Sequence, residues 1–308
     1  MFLVKETYLK MLPHVLRSSK KKMNPTEIFG LFKQMIELAR SEIVKFTLSQ
    51  SLSLDFKADK TVVTSCDIHI DNLLFSLARK NGFCVISEEG DKSNTVLKNG
   101  NYMTIDPIDG SLGYIENVNH ALAHGGIKSF LTKDLGPESD FCLLIGIVIN
   151  GTPRYGCCYN YITQEKILLD AENPMNCIIE NERRAHSGEE VCYISPRPGN
   201  ALQERILSLQ GVKKVIQATM GLKSLYSLLC NHKSAIVVHK QQESGLWDIL
   251  PAAVAARAFG GKIIDGSGNE VMYNSYINIP NGVLVIKGPR FVFVQSELKN
   301  KKTTILKR

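Results

Sequence analysis

No stretch of this 308-residue chain approaches the roughly 18 consecutive apolar residues of a membrane-spanning helix, so membrane insertion is not expected. The first 22 residues interrupt their apolar positions with Lys5, Glu6, Lys10 and His14, and so lack the continuous apolar centre of a secretory signal. A cytoplasmic protein is the expectation. Disulfide-scaffold and CxxC spacings are missing too: Cys66, Cys84, Cys142, Cys157, Cys158, Cys177, Cys192 and Cys230 are scattered along the chain. Free thiols are expected. Against a structural zinc site stands the pair Cys157-Cys158, whose side chains point to opposite faces of an apparent strand. There is no internal repeat and no low-complexity segment, and 44% hydrophobic with 22% charged residues excludes a disordered chain.

The body of the chain also lacks an excess of positive charge. The formal net charge is +7, but residues 1–22 hold Lys5, Lys10, Arg17, Lys20, Lys21 and Lys22 against Glu6. Residues 296–308 hold Lys299, Lys301, Lys302, Lys307 and Arg308 against Glu297, which leaves the middle slightly acidic. Basic ends on a near-neutral body read as solvated tails, so no nucleic-acid polymer is expected as a partner.

The length suits one large or two closely associated units at roughly 150 residues per domain. Asn24-Pro25-Thr26-Glu27 reads as a helix start, followed by Ile28, Leu31, Phe32, Met35, Ile36 and Ala39 at helical spacing. A second helix is predicted from about Asp67 to Lys80. Strands are predicted at Phe83–Ile86, Tyr102–Ile105, Phe141–Ile149, Arg154–Tyr159, Lys166–Leu169, Val191–Ser195, Ala235–Val238 and Lys262–Ile264. Asn150-Gly151 marks a hairpin between the third and fourth of these. Helices are predicted at about Asn200–Leu209, Leu222–Cys230 and Trp247–Phe259, the last stopped by Gly260-Gly261. Strands, hairpins and helices mixed in this way indicate an α/β or α+β class.

Glu88, Asp106 and Asp109 each fall where an apolar strand ends, and Asp248 sits just inside a helix start. Four carboxylates gathered together repel by several kcal/mol unless cations neutralise them. Such oxygen clusters suit Mg²⁺, and a pair of ions can clamp a phosphate and activate water. The plainer alternative is that Asp106-Pro-Ile-Asp-Gly110 is only a turn, since Asp caps turns, Pro sets φ and Gly accepts positive φ. Asp265-Gly-Ser-Gly-Asn269 is most simply a loop between strands. The Asp106-Pro-Ile-Asp-Gly110 run lacks the alternate-position acids of a calcium loop.

The combination "TVVTSCDIHID" (61–71), "VISEEG" (85–90), "IDPIDGS" (105–111) and "GLWDILPAAVAARAFGGKIID" (245–265) resembles the inositol monophosphatase superfamily. The resemblance covers residues from about 25 to 290. It implies a layered α/β/α/β/α sandwich and a Mg²⁺-dependent, lithium-sensitive phosphomonoesterase with two or three ions per site. The chain is accordingly expected to divide into a basic leader over 1–23, a catalytic domain over 24–290 in two packed halves divided near 190, and a C-terminal helix and basic tail over 291–308. Carried over by position, Glu88, Asp106 and the Ile108 carbonyl would hold one metal, and Asp106, Asp109 and Asp248 a second. Asp67 and Ser111 would be the water-activating pair, with the amides of Gly110 and Ser111 facing the phosphate. A helix cap is the plainer role for Asp67.

Within the superfamily, Trp247-Asp248, Pro251, Gly260-Gly261-Lys262, Asp265 and Gly268-Asn269 are similar to the 3'(2'),5'-bisphosphate nucleotidases, and Tyr114 matches an aromatic of that group. Gln241 stands where inositol-type enzymes usually place a glutamate. Departures are Leu112-Gly113 in place of Lys-Glu, Ser195-Pro196-Arg197-Pro198 in place of Ser-Arg-Ser-His, and a long stretch over 119–140. Arg197 and Lys223 are candidates for a second phosphate or plain surface cations. His120 and His124 are expected to be loop residues. The expected substrate is a small phosphorylated metabolite, adenosine 3',5'-bisphosphate ahead of inositol 1-phosphate or a sugar phosphate. The alternative of another class is a catalytically silent relative that binds a ligand or partner, and a homodimer is possible from the family.

Overall fold

A computed structural model describes residues 23–49, 54–56, 62–90, 100–124, 140–180, 190–194, 214–217, 220–229, 234–239, 245–265, 267–275, 277, 279, 283–287, 292–293 and 305–306. In chain order the elements are α1 (Pro25–Ser49), β1 (Leu54–Phe56), β2 (Val62–Thr64), α2 (Ser65–Lys80), β3 (Val85–Ser87), β4 (Tyr102–Asp109) and α3 (Ser111–Ala123). There follow β5 (Cys142–Ile149), β6 (Thr152–Asn160), β7 (Lys166–Asp170), β8 (Ile178–Glu180), β9 (Glu190–Ile194), β10 (Lys214–Gln217), α4 (Met220–Leu229) and β11 (Ser234–His239). The chain closes with α5 (Leu246–Phe259), β12 (Lys262–Asp265), β13 (Val283–Lys287), β14 (Val292–Phe293) and β15 (Ile305–Leu306).

β3 to β8 form a six-stranded sheet in chain order, antiparallel apart from the parallel β3–β4 pair. A second sheet runs β10-β9-β11-β13-β12, parallel across β10, β9 and β11 and antiparallel beyond. Both faces of the first sheet are covered, which is why β5 reads CLLIGIVI with no polar alternation. Leu143, Ile145 and Ile147 meet the core shared with α1, α2 and α3, while Cys142, Leu144 and Val148 meet the core shared with α4 and α5. Cys157 and Cys158 divide between these cores as strand alternation requires. The described layers are therefore helices, six-stranded sheet, helices, five-stranded sheet. The helix expected at 200–209 lies outside the described residues.

Several local signals act as the sequence implies. The Asn24 side chain accepts from Glu27 N at 2.9 Å and Glu27 returns the bond to Asn24 N at 3.0 Å, a reciprocal cap on α1. Asn150 (φ 52°) and Gly151 (φ 74°) form the β5–β6 hairpin turn. Gly146 and Gly156 lie opposite one another on β5 and β6. A Cβ on Gly146 would sit 2.5 Å from Leu250 Cγ and one on Gly156 3.2 Å from Pro251 Cα, so these two glycines form the trough that lets α5 lie directly on the sheet.

Two expectations need correction. β4 does not stop at Ile105 but runs to Asp109, with a register break between Asp106 and Asp109 where Pro107 needs no ladder donor. Residues 111–123, with His120 inside, are helical, because Gly110 at φ 94° turns the chain into α3 without any side-chain cap to announce it. The greater part of 291–308, where a C-terminal helix is expected, lies outside the described residues; Val292–Phe293 and Ile305–Leu306 pair as antiparallel strands.

Candidate active site

The bulge in β4 lets Asp106 and Asp109 turn to the same side. Ile108 N donates to Asp106 Oδ1 at 3.1 Å, and the buried Tyr161 hydroxyl donates to the Pro107 carbonyl at 3.0 Å, so the strand end is held from within and from β6's far end. Asp248 enters from the third position of α5, where Gly245 N donates to its Oδ2 at 2.8 Å. Carboxylate oxygens of Asp106, Asp109 and Asp248 all lie within 4.8 Å of one another, and all three residues are buried.

Glu88 lies outside that tight group but against it. Burial pushes the Asp106 carboxyl well above the usual carboxylate range, and Glu88, Asp109 and Asp248 add repulsion in that order. A dry, like-charged set of hard oxygen donors is the chemistry of a divalent-cation site, because a dication removes both the desolvation cost and the repulsion.

Four helices begin here. Asp67 is the third residue of α2, Ser111 the first of α3, Gly221 the second of α4 and Asp248 the third of α5. Each helix start offers unsatisfied N–H groups and a partial positive charge, which favours bound anions. Gly221 N donates to Asp109 Oδ2 at 2.6 Å, and the Cys142 thiol reaches the same oxygen at 3.6 Å. A Cβ on Gly221 would fall 2.0 Å from Leu144 Cδ1 and 3.0 Å from Asp109 Oδ2, so only glycine allows α4 to start so close.

Beside the acidic group, the Ser111 hydroxyl lies 3.1 Å from Asp67 Oδ1 and 3.3 Å from the Ile108 carbonyl. Thr64, the N-cap of α2, gives both its backbone N–H, at 2.8 Å, and its hydroxyl to Asp67 Oδ2. Asp67 is thus a helix-capping residue and the partner of Ser111 at once. Burial pushes its carboxyl up to about 6, against the hydrogen bonds from Thr64, with Glu88 adding repulsion and Ser111 a smaller opposing bond.

The fold brings together Asp67, Glu88, Asp106, Ile108, Asp109, Gly110, Ser111 and Asp248, although Ile108 turns its carbonyl to Ser111. Arg197, Gln241 and the greater part of the 119–140 stretch lie outside the described residues, as does the Lys223 side chain. Tyr114 is wholly buried, edge-on to Phe141 with ring centroids 5.3 Å apart, so its match to the nucleotidase aromatic is a matter of packing. Thr64, Gly221, Tyr161 and Cys142 are parts of the site that reading the sequence missed. Thr64, three residues before Asp67 in a capping pattern, carried a usable signal; the others are brought in only by tertiary contacts.

A layered sandwich with carboxylates gathered at a strand end and at helix starts is a phosphatase architecture, that of a phosphate-ester hydrolase. Residues 28–285 match the inositol monophosphatase family, and the chain belongs to it. Its fold is that of the extragenic suppressor protein SuhB from Bartonella henselae, at 15% identity over 89% of this chain and 97% of that one with a TM-score of 0.61. An IMPase from Thermotoga maritima matches at 17% identity over 81% of this chain and 89% of that one, TM-score 0.58. An IMPase/NADP phosphatase complexed with Mg²⁺ and phosphate matches at 12% identity over 85% and 90%, TM-score 0.62. Family membership implies divalent-metal dependence. Among the described residues no helix is long and apolar enough to cross a membrane.

Proposed function

We propose that the protein is a Mg²⁺-dependent phosphomonoesterase that removes the 3'-phosphate of adenosine 3',5'-bisphosphate, with Asp106, Asp109 and Asp248 as the principal metal ligands and Glu88 and the Ile108 carbonyl completing the set. The observation that carries the reading is the buried carboxylate trio with the Ser111–Asp67 pair 3.1 Å apart alongside it. A divalent cation held there supplies a Lewis acid for the phosphoryl group and lowers the pKa of water.

The chain's own residues do the rest. Thr64 orients Asp67 so that Oδ1 is left for Ser111. Asp67 accepts the Ser111 proton, and the Ser111 oxygen can then accept a proton from the attacking water. A carboxyl near 6 is a base matched to near-neutral pH. The N–H groups of Gly110 and Ser111 at the start of α3 would face the developing negative charge.

Preference for a nucleotide is supported by the Trp247-to-Asn269 segment and by Gln241. It also accords with the fold's capacity for nucleotide phosphates: one solved relative is described as 2'AMP-bound and another as complexed with NADP and Ca²⁺. A further relative is bound with D-inositol-1-phosphate, so that ester is the competitor to test. The test is phosphate release from adenosine 3',5'-bisphosphate, inositol 1-phosphate and fructose 1,6-bisphosphate, with and without Mg²⁺ and with added lithium. A ten-fold or greater lead of the nucleotide in kcat/KM, about 1.4 kcal/mol, is expected. A lead of inositol phosphate would overturn the substrate assignment.

A further inference from the structure

One turn beyond Asp67, α2 carries a second buried aspartate. Asp71 is 3% exposed, and its Oδ2 accepts the hydroxyl of Ser87, itself fully buried, at 2.9 Å. Ser87 is the last residue of β3 and directly precedes Glu88. The chain then doubles back over this pair: a Cβ on Gly90 would lie 2.3 Å from Ser87 Oγ and 3.1 Å from Asp71 Oδ2. On its other side the turn is tied to the metal strand, since Glu88 N donates to the Ile105 carbonyl at 3.0 Å, one residue before Asp106.

A buried carboxylate costs several kcal/mol unless it is hydrogen-bonded, so a core position gains nothing from an acid here. What the acid does provide is a strong, directional acceptor for a hydroxyl. Asp106, Asp109 and Asp248 have hydrogen-bonded supports of their own, whereas Glu88 stands on the bend over Glu88-Glu89-Gly90 that follows β3. We infer that Asp71 is a positioning residue: through Ser87 it clamps the Glu88-Glu89-Gly90 turn onto α2 and thereby sets the cation affinity of the site. The inference rests on the proposed role of Glu88 as a ligand. Because Asp67 and Asp71 lie four residues apart on one helix, α2 holds both the Ser111 partner and the clamp on Glu88.

The experiment is a Mg²⁺ titration of thermal stability on the full chain, run alongside the Mg²⁺ dependence of phosphate release, for Asp71→Ala, Asp71→Asn, Ser87→Ala, the Asp71→Ala/Ser87→Ala double variant and Glu88→Gln. Loss of a group that orients a ligand weakens metal affinity by about 10- to 100-fold. Asp71→Ala and Ser87→Ala should each raise the Mg²⁺ midpoint by about ten-fold while kcat at saturating Mg²⁺ stays within a few-fold of wild type. The double variant should be no worse than the worse single one. Asp71→Asn, which keeps an acceptor for the Ser87 hydroxyl, should stay near the wild-type midpoint. A lowered melting temperature with an unmoved midpoint in Ser87→Ala would overturn the clamp, as would Asp71→Asn matching Asp71→Ala while Ser87→Ala behaves as wild type. An unmoved midpoint in Glu88→Gln would instead remove Glu88 from the ligand set and end the inference for that separate reason. If Asp71→Ala does not fold, Ser87→Ala and Asp71→Asn still decide the question.

Discussion

Two strand ends in this protein lead into turn sequences opened by an aspartate and do different things. Asp106-Pro-Ile-Asp-Gly110 ends β4, and Asp265-Gly-Ser-Gly-Asn269 follows β12. Asp265 is satisfied by its own loop: its Oδ1 accepts from Ser267 N at 2.8 Å and from Asn269 N at 2.9 Å, and its N–H bonds the Asn269 carbonyl. β12 is the edge of its sheet, and the loop closes on itself there. Asp109 takes its hydrogen bonds from Gly221 and Cys142, which are 112 and 33 residues away. A turn that satisfies its own acid locally is structure, whereas one whose acid is buried among other acids and held by a distant helix start is a candidate site. Local chemistry alone does not separate the two.

The largest test of that contrast is neutralisation. Asp106→Asn should reduce Mg²⁺-dependent phosphate release to background and abolish Mg²⁺ stabilisation, while raising the melting temperature of the metal-free protein, because one of several mutually repelling buried charges is gone. Wild-type turnover in that variant would remove Asp106 from the site.

Ser111→Ala should lower kcat by about 10²- to 10⁴-fold, the range of a lost acid–base group, with the Mg²⁺ midpoint of thermal stability unmoved. A shifted midpoint would make Ser111 a ligand instead.

Gly221→Ala forces a methyl against Leu144 and Asp109. Overpacking of this kind costs about 1–3 kcal/mol, and chemical denaturation should show it together with reduced kcat/KM. An unchanged midpoint would mean that α4 shifts freely and does not brace Asp109.

The site should also betray itself in pH dependence. Asp67 has its folded-state pKa raised from 3.8 to about 6, so the folded protein holds a proton that the unfolded chain releases. Stability is then lost as pH rises from about 4 to 6, by about 3 kcal/mol for this group, and Asp106 acts in the same direction. Melting curves in a chelator should fall across that window, and those in Mg²⁺ should fall less. Equal slopes in both would count against a shared cation.

At the small end, Asp265→Asn should leave phosphate release unchanged and alter stability by at most about 1 kcal/mol. A large loss of activity would collapse the comparison.

Much of the site was legible because short-range chemistry marks it. Asp106, Asp109, Glu88 and Asp248 stand at ends of elements that apolar patterning delimits, and Asn24 and Asn150-Gly151 announce a cap and a hairpin by their own side chains and dihedrals. α3 escaped because its start depends on the positive φ of Gly110 rather than on a capping side chain, and because Leu112-Gly113 weakens the helical signal. The continuation of β4 through Pro107 escaped because a proline normally argues against a strand, and only the bulge opposite β5 accommodates it. The resemblance to nucleotidases at Tyr114 pointed toward substrate, yet the ring lies in the core.

By itself, the sequence determined which residues have the chemistry: hard oxygen donors at element ends, a hydroxyl after the Asp-Pro-Ile-Asp-Gly turn, and apolar strands long enough to bury both faces of a sheet. Only the tertiary structure decided which of these acids form one site, that Gly221 holds one of them, and that Asp71 reaches the turn bearing Glu88. The reason is physical. A residue's donor atoms and local dihedral preferences belong to its own segment, whereas the desolvation and repulsion that turn carboxylates into a cation site arise only when segments more than a hundred residues apart are packed together.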